Sequence, residues 1–320
     1  MSHSYSTTHG VPQGSVLGPL AFSLYSGPLQ DIITHHKLKC MMYADDTQVY
    51  ILIEENRRSD AILKLQACIL DIKHWSAQNC LKLNTDKTEV LHFTSKFRPS
   101  HQLECVTLDD MVVNTVVDCA RNLGVKLDKH LTMNAYVNDI CKAASFALHK
   151  IGTIRPFLSE KSTERLVHAH VTSRMDFCNS IFYGLSDIQI NKLQRIQNSA
   201  ARLVTRTRNR DQITPVLRKL HWLPIRDRIQ YKILSLTFLC LQGLGPSYLQ
   251  DLIQKYCPTR NLRSKSKSLL VCPSTFTRFY GARSFAVAAA ELWNSLPDSI
   301  KQVETIEKFK TALKTHLFLQ

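Results

Sequence analysis

Among the ten cysteines of this 320-residue chain there is no Cys-x-x-Cys pair and no compact Cys/His cluster, so neither a zinc site nor a secreted disulfide framework is indicated. Scattered thiols of this kind fit a reducing compartment. The opening "MSHSYSTTHG" has no basic-then-apolar leader pattern. A membrane span needs roughly 20 apolar residues. The longest apolar stretch, Tyr231 to Leu241, is broken by Lys232, Ser235 and Thr237. The expectation is an intracellular protein of the nucleus or cytoplasm with no membrane role. No internal repeat is visible, and no Asp or Glu precedes Asp31.

What is present is ordinary for a folded chain: 44% hydrophobic and 21% charged residues, enough for a sizeable core and two or three domains. The net charge of +15 is unevenly placed. Met1 to Arg155 holds 16 basic and 15 acidic residues, a net of +1, whereas Pro156 to Gln320 holds 25 and 11, a net of +14. A basic half of this size draws polyanions, and nucleic acid is the commonest one inside a cell. A merely soluble surface is the alternative.

The pattern of apolar residues divides the chain. Leu17, Leu20, Ala21 and Leu24 carry helical spacing after the turn "GVPQGS", which predicts one helix over Val16 to Ile33. Leu38 to Tyr43 and Thr47 to Ile53 are short β-prone runs that read as a hairpin. Ile62, Leu65, Ile69, Ile72 and Trp75 predict an amphipathic helix from Arg58 to Ala77. "CLKLNTDKTEVLHF" reads as strand, turn and strand, and further β-prone runs lie around Val106 to Val117 and Leu123 to Leu127. From Asn134 the pattern is mainly helical, interrupted near Pro156, Gly184, Pro215, Pro224 and Gly243 to Pro246. The fold class is therefore α+β first and mostly α afterwards. "RNLRSKSKSLL", Arg260 to Leu270, is expected as an exposed basic loop.

Two features carry chemistry. The first is the pair Asp45 and Asp46 between the two β-prone runs. Adjacent aspartates at a hairpin tip can be no more than a solvated turn. Asp-Asp is, however, not the Asn-Gly or Asp-Gly pair that tight hairpins favour. Carboxylates at a strand junction suit Mg²⁺, which is often held through one or two carboxylates plus substrate phosphates. Nucleotidyl transfer uses two such ions roughly 3.5 to 4 Å apart. The second feature is "NKLQRIQNSAARLVTRTRNR", where Leu193, Ile196, Ala200, Leu203 and Val204 form one helical stripe. Lys192, Arg195, Arg202 and Arg206 form an adjoining one, which is either a phosphate-backbone surface or a solvated helix exterior.

Taken together, "GVPQGSVLGPLAF", "YADD", "NCLKLNTDKTEVLHF" and "RNLGVKLD", in this order, resemble the later palm motifs of reverse transcriptases from non-LTR (LINE-type) retrotransposons. "ITPVLRKLHWLPIRDRI", "GPSYLQDLI" and "AAAELWNSLPDSI" are similar to the thumb and C-terminal region of the same family. The resemblance implies a partial right-hand polymerase palm over residues 1–129, a helical thumb over 130–210 and a basic C-terminal domain over 211–320. It implies RNA-directed DNA polymerisation with Mg²⁺, an RNA template, a DNA primer and a deoxynucleoside triphosphate as partners in the intact parent. It makes Asp45 a metal-binding carboxylate, Asp46 its neighbour in the same site, and Tyr43 a contact of the primer terminus. Gln13 and Gly14 match the motif lining the template and nucleotide pocket, and Gly14 suits a close backbone approach because it has no Cβ. Lys87 matches a lysine that protonates the leaving pyrophosphate, with a solvated turn lysine as the alternative. Leu123 and Gly124 match the point where the primer-gripping hairpin meets the thumb.

One departure counts against completeness. The family carries a further metal-binding Asp on a strand before the "PQG" motif, which here begins at Gly10 with no acidic residue ahead of it. The expectation is a truncated reverse transcriptase, inactive by itself. The alternatives are a non-catalytic nucleic-acid-binding protein derived from it and an inactive pseudogene product.

Overall fold

The computed structural model of this chain describes residues 10, 14–96, 105–108, 111–116, 118–257, 268–275, 277 and 280–319. The chain divides into two compact units, Met1–Ala120 and Arg121–Gln320. With these bounds the first unit has 10 basic and 13 acidic residues, a net of −3, and the second has 31 and 13, a net of +18. Charge therefore segregates by unit even more sharply than the halves of the sequence indicate.

The first unit opens with α1 (Gly18–Ser26) and α2 (Pro28–His35). The single expected helix is thus two. Pro28 has no N–H to continue the backbone ladder, and its fixed φ suits the first position of a new helix. The antiparallel pair β1 (Lys39–Tyr43) and β2 (Asp46–Tyr50) follows, with Cys40 opposite Val49 and Tyr43 opposite Asp46. Helix α3 (Arg58–Gln78) buries Ala61, and packs Cys68 and Ile72 against Leu29, Ile33 and Leu38, with Cys40, Met42, Leu65 and Trp75 at the margin. Its buried face is turned by one residue from the expected stripe, leaving Ile62 and Ile69 half-buried.

Downstream, Cys80 to Phe93 departs from the strand, turn, strand expectation. Residues 81–84 are irregular, Thr85–Lys87 is a 3-10 turn, and only β3 (Val90–Leu91) is extended. The cause is local. Asn84 takes the Lys87 N–H on its side-chain Oδ1 (3.3 Å) and the Thr88 hydroxyl on its carbonyl (2.8 Å), bonds that compete with a ladder. Strand β3 pairs parallel with β5 (Met111–Val116), which pairs antiparallel with β4 (Cys105–Leu108). A final ribbon of β6 (Cys119–Asn122) and β7 (Val125–Asp128) leads into the helices.

The second unit is almost wholly helical: α4 (Asn134–Ile154), α5 (Glu160–Val167), α6 (Ser173–Asp176), α7 (Asp187–Thr205), α8 (Ile213–Lys219), α9 (Ile225–Leu241), α10 (Ser247–Gln250), α11 (Phe285–Ser295), α12 (Asp298–Lys301) and α13 (Ile306–Leu319). Pro224 stands at the N-cap of α9 and Gly243 lies just beyond its end, so these punctuating residues mark real boundaries. Pro215 lies in the first turn of α8, where its missing N–H has no helical partner to lose. Helix α9 serves two cores. Ile229 and Ile233 join Val137, Leu193 and Val204, while Leu234 and Phe238 join Trp293, Phe309 and Leu313. The Phe238 and Phe309 rings stack at 4.3 Å. Among the described residues no helix is long and apolar enough to cross a membrane. Of the expected basic loop, residues 260–267 lie outside the described residues, and Leu270 at its end is buried in a bridge with Lys255.

Candidate metal-binding hairpin and basic surface

In the first unit, pairing of Tyr43 with Asp46 leaves only Ala44 and Asp45 as the loop between β1 and β2. Alternation along the pair sends Cys40, Met42 and Val49 toward the core and leaves Met41 and Tyr43 exposed. Because directly opposed residues share a face, Tyr43 and Asp46 stand side by side on the outer surface. Asp45 projects from the loop next to them. Both carboxylates are exposed, and neither makes a hydrogen bond or ion pair among the described residues. They are free to accept a ligand.

The tip is bent by Ala44, whose φ of 51° lies in the left-handed region. An alanine there carries roughly 1–2 kcal/mol of strain that glycine would not. The strain ends the first strand abruptly and puts two consecutive carboxylates at the reversal.

Lys87 is exposed on a different element, the 3-10 turn Thr85–Lys87, and no hydrogen bond or ion pair joins it to Asp45 or Asp46. Gly14 precedes α1, is exposed, and has a φ of 89° that favours glycine. Among the described residues, no atom lies within 4 Å of the position a Cβ would take. Gln13 lies outside the described residues. Among the described residues no group of three or more His, Cys, Asp or Glu side chains converges as a cation cage.

The basic stripe lies on the second unit, along α7. Its apolar companion is buried: Leu193, Ala200 and Val204 lie in the core, with Ile196 and Leu203 at the margin. Gln197, between them, is also buried and donates to the Leu223 carbonyl at 2.8 Å. The cations differ from one another. Arg195 is exposed without a protein partner among the described residues. Lys192 Nζ donates to Asn138 Oδ1 at 2.9 Å. Arg202 is half-buried and donates to the Arg208 carbonyl (2.6 Å) and the Asp211 carbonyl (2.9 Å), closing the loop after the helix. Arg206 stands outside the helical row, since it is the left-handed residue (φ 58°) that ends α7, and it donates to the Arg155 carbonyl at 3.3 Å.

Three residues that sequence reasoning passed over organise this unit. Asp128 accepts hydrogen bonds from the backbone N–H groups of His130, Thr132 and Met133, fixing the turn into α4. Arg155 donates to the carbonyls of Leu203, Val204 and Leu158, and Arg283 to those of Tyr183, Leu131 and Ile181. Burial lowers the pKa of Arg283, with Asp128 opposing that shift. Nothing in a sequence distinguishes an arginine that binds carbonyls from one that binds solvent.

With the geometry in view, residues 2–127 match the family model of the reverse transcriptase (RNA-dependent DNA polymerase). The chain is 30% identical over 215 residues to the probable RNA-directed DNA polymerase from transposon X-element of Drosophila melanogaster, a match covering 64% of this chain and 22% of that protein. It is 29% identical over 210 residues to the probable RNA-directed DNA polymerase from transposon BS of the same organism, covering 61% and 22%. A third relative, the retrovirus-related Pol polyprotein from type-1 retrotransposable element R1 of Nasonia vitripennis, is 22% identical over 228 residues, covering 67% and 65%. No solved structure matches the chain. The chain spans about a fifth of the length of the first two of these relatives, 22% in each.

Proposed function

We propose that this chain is part of an RNA-directed DNA polymerase of a non-LTR retrotransposon, which in its intact form extends a DNA primer on an RNA template from deoxynucleoside triphosphates. The single observation that supports the reading best is the tight hairpin with two exposed carboxylates, Asp45 and Asp46, that have no partner among the described residues. Their oxygens fit Mg²⁺ held through one or two carboxylates and substrate phosphates, and they fall short of a two-ion site, because no third ligating side chain converges on them among the described residues. When bound, Mg²⁺ offsets phosphate charge and lowers the pKa of the attacking hydroxyl.

In this reading Tyr43, beside Asp46, supports the primer terminus. Gly14 and Gln13 leave room for template and nucleotide, and Lys87 gives a proton to the departing pyrophosphate. Residues 1–129 are then the palm segment, 130–210 the thumb and 211–320 a basic C-terminal segment. The test is Mn²⁺ binding to the whole chain followed by electron paramagnetic resonance. Binding that is lost in Asp45→Asn supports the assignment; binding that persists unchanged in Asp45→Asn with Asp46→Asn overturns it.

A second reading is favoured by the +18 charge of the second unit. This unit binds nucleic acid through its basic surface whether or not the hairpin supports polymerisation, with Lys192, Arg195, Arg202 and Arg206 along the phosphate backbone. Three of these four already hold protein oxygens, so Arg195 is the one most freely available to a phosphate.

A further inference from the structure

We infer that the outer face of α4 and the turn after it bind single-stranded nucleic acid by base stacking between lysines, an inference that rests on the nucleic-acid reading of the second unit. Along α4, Lys142, Phe146, Lys150 and Ile154 recur every four residues, and all four are exposed. At 1.5 Å per residue they are spaced about 6 Å apart along one slowly winding stripe. Phe146 is 64% exposed, and the Lys150 ammonium lies 5.5 Å from its ring centroid. Just beyond the helix, Phe157 is 88% exposed in the 3-10 turn Arg155–Phe157. Full burial of a phenylalanine side chain is worth roughly 1.5–3 kcal/mol. Two rings held in water on a well-packed unit therefore serve no core.

The surroundings select the ligand. Beside Phe157 lies an open cavity of about 340 Å³ lined by Gly152, Arg155, Pro156, Leu203 and Arg206. Exposed apolar side chains also occur at Leu17, the N-cap of α1, and at Leu20 and Leu24 on it, but that helix carries no basic residue and belongs to the acidic unit. On α4 the apolar groups alternate with cations in the unit that carries +18. Alternating aromatic rings and ammonium groups match a strand whose unpaired bases stack while its phosphates pair with cations, a mode that tolerates sequence. A base pair inside a duplex hides the faces that such rings need.

The test uses the whole chain and fluorescently labelled oligonucleotides: an unstructured RNA strand, the same DNA strand, an abasic DNA strand and a duplex. Phe146→Ala and Phe157→Ala should each weaken RNA or DNA single-strand binding by about 5- to 100-fold. Neither should change the salt dependence or duplex binding. The abasic strand should bind the parent as weakly as the intact strand binds the Phe146→Ala/Phe157→Ala double variant. Lys142→Gln with Lys150→Gln should instead flatten the salt dependence by up to about two phosphates. Unequal affinity for the RNA and DNA strands assigns the preferred sugar without altering the stacking. If both Phe variants keep single-strand affinity within two-fold while the duplex still binds with strong salt dependence, the stacking inference is overturned and the nucleic-acid reading stands. If no oligonucleotide binds, both fail. If the Phe variants instead dissociate an oligomer seen by light scattering and leave nucleic-acid affinity unchanged, the face is a protein contact and the inference is overturned.

Discussion

Arg155 and Val204 join the ends of two helices that run side by side in the same direction. Near the N-terminal ends, Gln189 of α7 reaches Asn134 of α4 at 2.7 Å and Lys192 reaches Asn138 at 2.9 Å. At the C-terminal ends, Arg155 Nη2 donates to the Val204 carbonyl at 2.7 Å and Nε to the Leu203 carbonyl at 2.8 Å. Helix C-termini concentrate unsatisfied carbonyls and partial negative charge. With two such ends together, a buried guanidinium answers both demands. Arg155→Met should destabilise the second unit by about 3 kcal/mol, since hydrogen bonds to charged groups are worth roughly 1.5–3 kcal/mol each and the carbonyls lose their partner. Helical circular dichroism during urea unfolding measures this, and a loss below about 1 kcal/mol would contradict it.

Gly184 offers a sharper steric test. Its φ is 69°, and a Cβ there would lie 2.6 Å from Cγ of Arg283, which is held by three carbonyls. Gly184→Ala should therefore destabilise by about 2–4 kcal/mol, combining left-handed strain with overpacking. Arg283→Ala in the same chain should recover part of the Gly184→Ala loss, a non-additivity that independent sites would not show.

At the hairpin the sign reverses. Ala44→Gly removes the penalty of a left-handed alanine, and unfolding of the first unit should require about 0.5–1 kcal/mol more free energy, after the entropy glycine adds to the unfolded chain. Stability that falls instead would show that the Ala44 methyl group contributes more by packing than it forfeits in strain.

Cys68 is fully buried, and burial, the Asp71 carboxylate and Cys40 together push its thiol up to about 11. Native protein at pH 8 should leave Cys68 unalkylated by iodoacetamide while exposed Cys80, Cys178, Cys257 and Cys272 react, as peptide mass spectrometry would show. The folded-state pKa is raised above the usual thiol value of 9.0, so the associated stability is present below pH 9 and is lost as pH rises toward 11. Urea midpoints of the first unit should accordingly fall above pH 9.

Templated nucleotide incorporation should be absent from this chain by itself with Mg²⁺ or Mn²⁺, because among the described residues no third ligating side chain joins Asp45 and Asp46 to hold two ions in register. Primer extension measures it, and incorporation abolished by Asp45→Ala would refute the expectation. In a longer, active polymerase carrying this hairpin, Lys87→Ala should slow chemistry by roughly 10²- to 10⁴-fold, and a rate within a few-fold of the parent would leave Lys87 as a turn residue.

Nucleic-acid binding by the basic surface should be tolerant of sequence and fall steeply with salt, with a log-log slope near 0.7 to 0.9 per phosphate neutralised. Arg195→Gln should remove about one such unit without loss of helix, since its side chain holds no partner among the described residues. Arg202→Gln should also lower stability, because Arg202 holds two carbonyls of the following loop. An unchanged slope in Arg195→Gln would remove that residue from the interface.

Short-range chemistry was legible in the sequence by itself. Periodicity located α3 and α7, the β-prone runs around Asp45 predicted the hairpin, and charge counting found the basic region, because each depends on residues a few positions apart. Motif order carried the family resemblance for the same reason. Where local rules competed, reading was weaker: Pro28 divides a helix that apolar spacing alone would continue, and Asn84 captures backbone groups that β propensity would assign to a strand. Only the tertiary structure decided which cations are spent on the protein itself. Arg155 and Arg195 are alike as letters, yet one is buried among carbonyls that come from 48 and 49 positions away and the other points into water. That difference arises from long-range packing, which brings helix ends together and decides whether a guanidinium finds a carbonyl or a phosphate.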